Sequence, residues 1–229
     1  AYGIQIYADF SGYTGIALGS AMLLGYRLPE NFNRPYASAS VSEFWQRWHM
    51  SLGAWLREYV YISLGGNRKR VYVNIFLTML ICGLWHGAAL TFVAWGIYHG
   101  LFMVIERAMG MNRAVARNRP ARVLRIALTL HIVLFGWIIF RCDSWNTFTE
   151  ILRSFTGRWG PSPNLSVSVI LLLAAFYAAH YTPVEWKRKV MTLWRGLSAE
   201  AQGVAAAVVA VILYHIASPQ ASPFIYFKF

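Results

Sequence analysis

Two histidines stand inside an apolar stretch of the chain, and histidine is well suited to proton transfer near neutral pH. The stretch LICGLWHGAALTFVAWGIYHG, residues 80–100, holds His86 and His99, each followed by glycine. An apolar environment favours neutral imidazole, which can accept a proton, and a general base typically contributes about 10²–10⁴-fold to a rate. The residues therefore indicate a buried base. The alternative is a histidine with a purely structural role, packed in the core and hydrogen-bonded to a backbone carbonyl near Gly83 or Gly87.

The composition is that of a membrane protein. Of 229 residues, 57% are hydrophobic and only 13% are charged, whereas soluble domains contain about 25% charged residues. The net charge of +12 is carried mainly between the apolar stretches, as in the cytoplasmic loops of membrane proteins. Arginines spread in this way do not form one face of a soluble domain, so we expect membrane lipid and no nucleic acid as partners. The two cysteines do not make a disulfide framework.

Five apolar segments are long enough, or nearly so, to cross a bilayer as helices. They lie at residues 2–24, 71–105, 123–140, 167–181 and 204–217. The second segment carries no charge and is too long for one crossing of a core about 30 Å thick. We expect it to break near residues 83–87. Because irregular backbone at membrane depth needs protein or a watery cavity around it, the break places His86 beside a polar cavity near mid-membrane.

Basic stretches separate these segments and predict their orientation. They lie within residues 27–70, 106–125 and 186–195, and an excess of Lys and Arg predicts the cytoplasmic side, which leaves 141–164 outside. The sequence begins inside an apolar segment without a signal-peptide pattern, so we expect a piece of a longer protein. The predicted fold is an all-α, multi-pass transmembrane helical bundle, and residues 1–229 are predicted to form a single membrane domain.

Residues 40–62 are predicted to form one amphipathic helix. Ser40 and Glu43 match a capping box at a helix start. At about 100° per residue, one arc of this helix is apolar and aromatic, and the charges fall elsewhere. The arc contains Phe44, Trp45, Trp48, Leu52, Trp55, Leu56 and Tyr59. We expect the helix to lie in the membrane interface, oblique to the spanning helices, with its three tryptophans buried.

Three further side chains near the apolar stretch could take part in chemistry. His49 lies at the edge of the apolar arc and could enter the cavity of His86 from the cytoplasmic side. Cys82 precedes His86 by one turn and could form an acyl-enzyme, although a small buried filler is the stronger interpretation. His99 would face away from His86 on one unbroken helix, so the two converge only if the helix breaks. The histidines lack the close spacing of a metal site.

Asp9 is the charged residue within the first apolar segment. It could pair with Arg47 or Arg57, or line a tunnel through the bundle. The alternative is a carboxylate that reaches the interface from near one end of the helix.

Six ordered motifs resemble the membrane-bound O-acyltransferases, the MBOAT family. They are DFSGYTGIALG, PENFNRPY, SEFWQRWHMSLGAWLREYVYISLGGNR, GLWHG, WGIYHG and the terminal PFIYFKF. The resemblance is dense from Asp9 to about Glu106, sparse afterwards, and returns in the last seven residues. Its extent implies that the chain is the C-terminal half of such a protein.

The resemblance implies acyl transfer in a membrane-embedded tunnel of the bacterial inner membrane. It places the family's invariant histidine on His86, the expected general base, and a second functional histidine on His49. The implied donor is acetyl-CoA or another acyl thioester on the cytoplasmic side, with no tightly bound cofactor. The implied acceptor is an extracytoplasmic polysaccharide or a partner acyltransferase protein.

Four residues are candidates for substrate contact: Asp9, Arg57, Trp85 and His99. A transporter or channel subunit without acyl transfer is the alternative function, because it also lines a cavity with polar groups. A transporter typically has paired interrupted helices in two related halves, whereas this sequence shows one such interruption. A scaffolding role would make His86 replaceable without loss.

Overall fold

The computed structural model describes residues 1–111, 118–157 and 166–216, and every regular element in these ranges is helical. The all-α prediction is confirmed for this part of the chain. Arg113 and Arg117 of the second basic stretch, and the terminal PFIYFKF motif, lie outside the described residues. The chain divides into two compact units, Ala1–Leu173 and Ala174–Phe229.

The helices follow the predicted apolar segments closely. In chain order they are α1 (Tyr2–Leu23), α2 (Val41–Arg47), α3 (Met50–Trp55), α4 (Val71–His86), α5 (Leu90–Ala108), α6 (Arg119–Arg141), α7 (Trp145–Phe155), α8 (Val167–Tyr181), α9 (Val184–Arg195) and α10 (Ala199–Ile216). A 3₁₀ turn, Pro35–Ala37, precedes α2, and a π-helical turn, Leu56–Tyr61, follows α3.

One helix in the described ranges, α6, is by itself long and apolar enough to cross a membrane. The pair α8 and α9 meets the same criterion only when taken together, and it is bent by 93°. Helices α4 and α10 are apolar but shorter. The multi-pass topology therefore stays a prediction.

Helices α4 and α5 form a tight hairpin around the predicted break. α4 ends at His86, Gly87 has a φ of 147°, and α5 begins at Leu90, so the break is confirmed. The helices cross where Gly83 meets Gly96. A Cβ atom on Gly96 would lie 2.5 Å from the carbonyl oxygen of Met79 and 3.3 Å from the Cα of Gly83. Only glycine allows this backbone approach, which fixes the position of His86 at the end of α4.

The predicted continuous helix over residues 40–62 is wrong. It begins as expected, with the Ser40 hydroxyl accepting a hydrogen bond from the Glu43 N–H at 3.0 Å, but α2 ends at Arg47. Trp48 is extended and His49 has a left-handed φ of 46°. The preceding loop stabilises this kink: Asn33 N–H donates to the Arg47 carbonyl, and Met50 N–H donates to the Asn31 carbonyl. The hydrogen bonds that a straight helix would make are thus replaced by bonds to the loop.

The kink changes which aromatic side chains are buried. Four members of the predicted apolar arc are buried, namely Phe44, Trp48, Leu52 and Leu56. Trp45 is half-buried, whereas Trp55 is 46% exposed and Tyr59 is 61% exposed. The prediction that all three tryptophans are buried therefore fails at Trp55, because the chain after the kink starts a new helical phase and then widens into the π-helical turn.

An aromatic core joins α2, α5 and α6. The ring of Trp48 stacks on Phe44 at 5.6 Å between centroids and lies 4.9 Å from the ring of Trp137. Trp137 in turn stacks on Trp95 at 6.1 Å. These large rings bury much apolar area and favour specific geometries. They therefore hold the kinked segment, which runs from α2 through α3 to the π-helical turn, against the hairpin of α4 and α5.

Candidate active site

His86 lies at the C-terminal end of α4 and is only 4% exposed. Four aromatic rings surround its imidazole at centroid distances of 4.9 to 6.2 Å. They are Trp85, Phe92, Trp95 and Phe140. Such a setting has a low dielectric constant, which strengthens electrostatic and hydrogen-bonding interactions with a reacting group. The polar cavity expected beside His86 stays a prediction.

His49 occupies the kink between α2 and α3. Its imidazole meets Phe10 of α1 edge to face at 4.7 Å, and its Nδ1 lies 3.4 Å from the Ser51 hydroxyl. Partial burial lowers the pKa of His49 below its usual value, so this histidine is neutral at pH 7 and can accept a hydrogen bond. A left-handed backbone at a non-glycine residue is uncommon and often marks a functional position.

Trp85 links the two histidines. Its ring lies 6.2 Å from that of His49 and 4.9 Å from that of His86, and it is 52% exposed. Trp85 therefore contacts both imidazoles and also has an exposed surface. The structure brings together His49, His86 and Trp85 of the predicted site, and whether the imidazoles open into one cavity stays a prediction.

His99 lies deeper in the hairpin, on α5, and is 1% exposed. Its ring contacts Trp45 at 5.2 Å and Trp95 at 5.1 Å, and Trp95 also contacts His86 at 5.3 Å. The helix break thus brings His86 and His99 into contact with the same indole. A Cβ atom at Gly136 would lie 2.5 Å from the Nε2 of His99, so glycine at this position lets α6 pack against the imidazole.

A cavity of about 280 Å³ opens between the kinked segment and the hairpin. Its lining residues are Ser42, Trp45, Gln46, Gly53, Leu56, Arg57, Tyr61, Asn67, Ile75, Thr78, Met79, Met103 and Arg107. Arg107 and Tyr61 both donate hydrogen bonds of 2.9 Å to the Asn67 side-chain oxygen. Among the described residues, the lining includes two guanidinium groups, no carboxylate, and an apolar wall of leucine, isoleucine and methionine. It matches an elongated ligand that carries an anionic group.

The cavity and His86 lie along the same helix. Met79 lines the cavity, and His86 follows it by seven residues on α4, which is about two turns, or roughly 10 Å, along nearly the same face. Trp45 also lines the cavity, and its ring lies 5.3 Å from Trp95, which contacts His86. The indoles of Trp45 and Trp95 therefore separate the cavity from the imidazole.

Glu106 anchors α2 to the end of α5, and the sequence analysis missed it. Its carboxylate accepts hydrogen bonds from the N–H groups of Val41 at 2.6 Å and Ser42 at 3.0 Å, and the residue is 6% exposed. A carboxylate at a helix N-terminus satisfies free N–H groups and complements the helix dipole. Glu106 is the first charged residue after the long charge-free run, which is the signal that could have identified it.

Asp9 lies half-buried on α1, and its pairing with Arg47 or Arg57 stays a prediction. Arg47 forms its ion pair with Glu43, one turn earlier on α2, at 2.5 Å. Arg57 lines the cavity between the kinked segment and the hairpin. Of the four candidate substrate contacts, the structure places Trp85 and His99 close to His86 through aromatic rings, and Arg57 at the cavity.

Residues 1–149 match the model of MBOAT, the membrane-bound O-acyltransferase family. The chain is 49% identical over 166 residues to the protein named "Probable alginate O-acetylase AlgI" of Pseudomonas aeruginosa, covering 69% of this chain and 31% of that protein. It is 37% identical over 165 residues to the peptidoglycan O-acetyltransferase of Helicobacter pylori, covering 71% of this chain and 31% of that protein.

A more distant similarity extends to the teichoic acid D-alanyltransferase of Bacillus subtilis, at 35% identity over 153 residues, 61% of this chain and 39% of that protein. The chain thus spans about a third of the length of the curated relatives it matches. The match of the family model covers both histidine motifs, the kinked segment and the hairpin. The chain belongs to the membrane-bound O-acyltransferase family.

Proposed function

We propose that the full-length protein is a multi-pass O-acetyltransferase of the bacterial inner membrane. It moves an acetyl group from a cytoplasmic thioester to a hydroxyl of an extracytoplasmic polysaccharide, directly or through a partner acyltransferase. The observation that carries this proposal is the placement of His86, a buried imidazole at a helix break, next to the exposed Trp85 ring. The relatives' names, which specify alginate, peptidoglycan and teichoic acid, support a polymer outside the cytoplasm as the acceptor.

The proposed chemistry needs one base and a path for one proton. His86 accepts the proton of the acceptor hydroxyl while that oxygen attacks the thioester carbonyl. The carbon–sulfur bond then breaks, the acetyl oxygen ester remains on the acceptor, and the imidazolium returns the proton to the leaving thiolate. His49, whose ring also contacts Trp85, positions or polarises the thioester. The aromatic surroundings of His86 exclude water that would otherwise hydrolyse the donor.

The cavity beside Arg57 is the proposed entry site of the donor. An acetyl thioester on a phosphopantetheine arm combines a phosphate with a long, weakly polar chain, and the cavity combines guanidinium groups with an apolar wall. The rings of Trp45 and Trp95 must then move aside for the thioester to reach His86. This assignment gives Arg57 the substrate-binding role suggested by the sequence.

We expect Arg57→Ala to weaken donor binding more than turnover. Loss of a charge-assisted hydrogen bond of this kind costs about 1.5–3 kcal/mol, or roughly 10–150-fold in the KM for the donor. The measurement is initial-rate kinetics of full-length protein in vesicles with the donor concentration varied. Arg68→Ala is the matched control, because Arg68 is exposed and does not line the cavity. Equal KM values for the two variants would contradict the assignment.

Acyl transfer itself is tested with labelled acetyl thioester supplied at the cytoplasmic face of vesicles that contain the full-length protein. We expect label to appear as base-labile ester on an acceptor polysaccharide, or on the partner protein, only in vesicles with the protein. Accumulation of intact thioester inside the vesicles without ester formation would instead support a transporter.

A further inference from the structure

Helix α9 carries an exposed apolar stripe in a part of the chain beyond the family match, which ends at residue 149. None of its residues is buried. The stripe consists of Trp186, Val190, Leu193 and Trp194, whose exposures are 65%, 62%, 73% and 38%. Large apolar side chains gathered on one surface are typical of an interaction site.

The charges of α9 are arranged around that stripe. At 3.6 residues per turn, the four apolar residues fall within about 100° of the helix circumference. Lys187 and Lys189 flank the stripe on its two sides, whereas Arg188 and Arg195 fall on the opposite face. Glu185 is the acidic residue of this helix. The partner therefore combines an apolar phase with negative charge at its edge.

The bend before α9 suits a position in the plane of a membrane. α8 is an apolar helix that ends at Tyr181, and α9 departs from its direction by 93° after the break at Thr182 and Pro183. If α8 runs along the bilayer normal, α9 runs parallel to the surface. Tryptophan favours the interface between headgroups and acyl chains, and lysine reaches from there to the phosphates.

We propose that α9 is an interfacial helix that binds anionic phospholipid headgroups. Its stripe enters the outer part of the acyl-chain layer, and Lys187 and Lys189 contact the phosphates. The bilayer surface is favoured over an acidic protein surface because the two tryptophans stand between the lysines, where a membrane supplies an apolar phase under a layer of negative charge. This role is separate from the acyl-transfer chemistry.

The test places a fluorescent probe on the stripe. Leu193→Cys in the full-length protein, with the other cysteines replaced, is labelled with an environment-sensitive dye and incorporated into nanodiscs. The discs contain phosphatidylcholine alone or with about a third of phosphatidylglycerol. Some of the lipids carry a quencher close to the headgroup, so loss of dye fluorescence reports contact between the probe and the membrane surface. We expect strong quenching in the anionic discs, weaker quenching in the neutral discs, and none for a probe at Arg188→Cys.

Two charge variants with equal loss of charge sharpen the test. Each lysine near an anionic surface contributes about fivefold, so K187Q/K189Q should lower the ratio of docked to undocked helix by roughly 25-fold in anionic discs. R188Q/R195Q should lower it by about threefold or less, because these groups lie about a helix diameter from the phosphates, beyond the Debye length of about 8 Å.

Two results would overturn the proposal. One is an unquenched probe at position 193 in anionic discs. Protection of this probe only after an acidic protein is added counts as the same result, because it shows that a protein and not the lipid covers the stripe. The other is an equal loss in the two charge variants, which would show that no particular face of α9 meets the lipid. Because helix α9 has no buried residue, these substitutions leave the packing of the described structure intact.

Discussion

Replacing His86 by alanine is expected to lower acyl transfer by about 10²–10⁴-fold, which corresponds to the loss of a general base. The imidazole is 4% exposed and lies among four aromatic rings, and none of these four rings carries a basic nitrogen that could replace it. The measurement is the ester-linked acetyl content of exopolysaccharide in cells that carry the full-length variant.

The control for that variant is His131→Ala. His131 is exposed on α6 and its ring is hydrogen-bonded to the carbonyl of Ala127, one turn earlier, so its loss should leave transfer near the level of the unchanged protein. Protein amounts in the membrane should be similar for both variants. Normal acetyl content with His86→Ala would show that His86 has a packing or scaffolding role.

Gly96→Ala is expected to lower acyl transfer by about 10²-fold without touching any reacting group. Its new Cβ would lie 2.5 Å from the Met79 carbonyl oxygen, whereas ordinary contacts begin at 3.4 Å, so α4 and α5 must separate by about 0.9 Å (3.4 minus 2.5). A displacement of this size at the crossing moves His86 relative to Trp95. The overpacking should also cost about 1–3 kcal/mol of stability.

The matched control is Gly203→Ala on α10, where an added Cβ meets nothing within 4 Å. Alanine there should stabilise the helix by about 0.5–1 kcal/mol and leave transfer unchanged. Gly83→Ala, on the other side of the crossing, should resemble Gly96→Ala. The double variant should be less than additive, because either alanine alone already forces the same crossing apart. Unchanged activity in both single variants would contradict the view that the hairpin crossing positions His86.

The break at His86 could be predicted from the sequence because it follows from a local conflict. The charge-free run around His86 is longer than a membrane crossing needs and contains glycines, so one helix cannot use all of it. The hairpin then explains how His86 and His99 approach the same indole, which an unbroken helix forbids. Physical rules that act within one segment were sufficient for these features.

The kink at His49 could not be predicted in the same way. Residues 40–62 satisfy a helical pattern. The helix is interrupted by hydrogen bonds with the preceding loop, in which Asn31 accepts from Met50 and Ser51 and the Asn33 N–H donates to Arg47. The anchoring of α2 by Glu106 likewise joins residues about 65 positions apart, as the separation of Glu106 from Val41 shows. Neither contact has a periodic signature, so both become visible only in the folded chain.

The most direct test of His86 as the base is a single-turnover measurement on full-length protein in vesicles, with His86→Gln compared with His131→Gln. Donor binding is measured first, and the transfer of labelled acetyl to the acceptor is then followed in time. We predict equal donor affinity in both variants, with transfer slowed by about 10²–10⁴-fold only in His86→Gln. Transfer at the control rate in His86→Gln would contradict the assignment of His86 as the base.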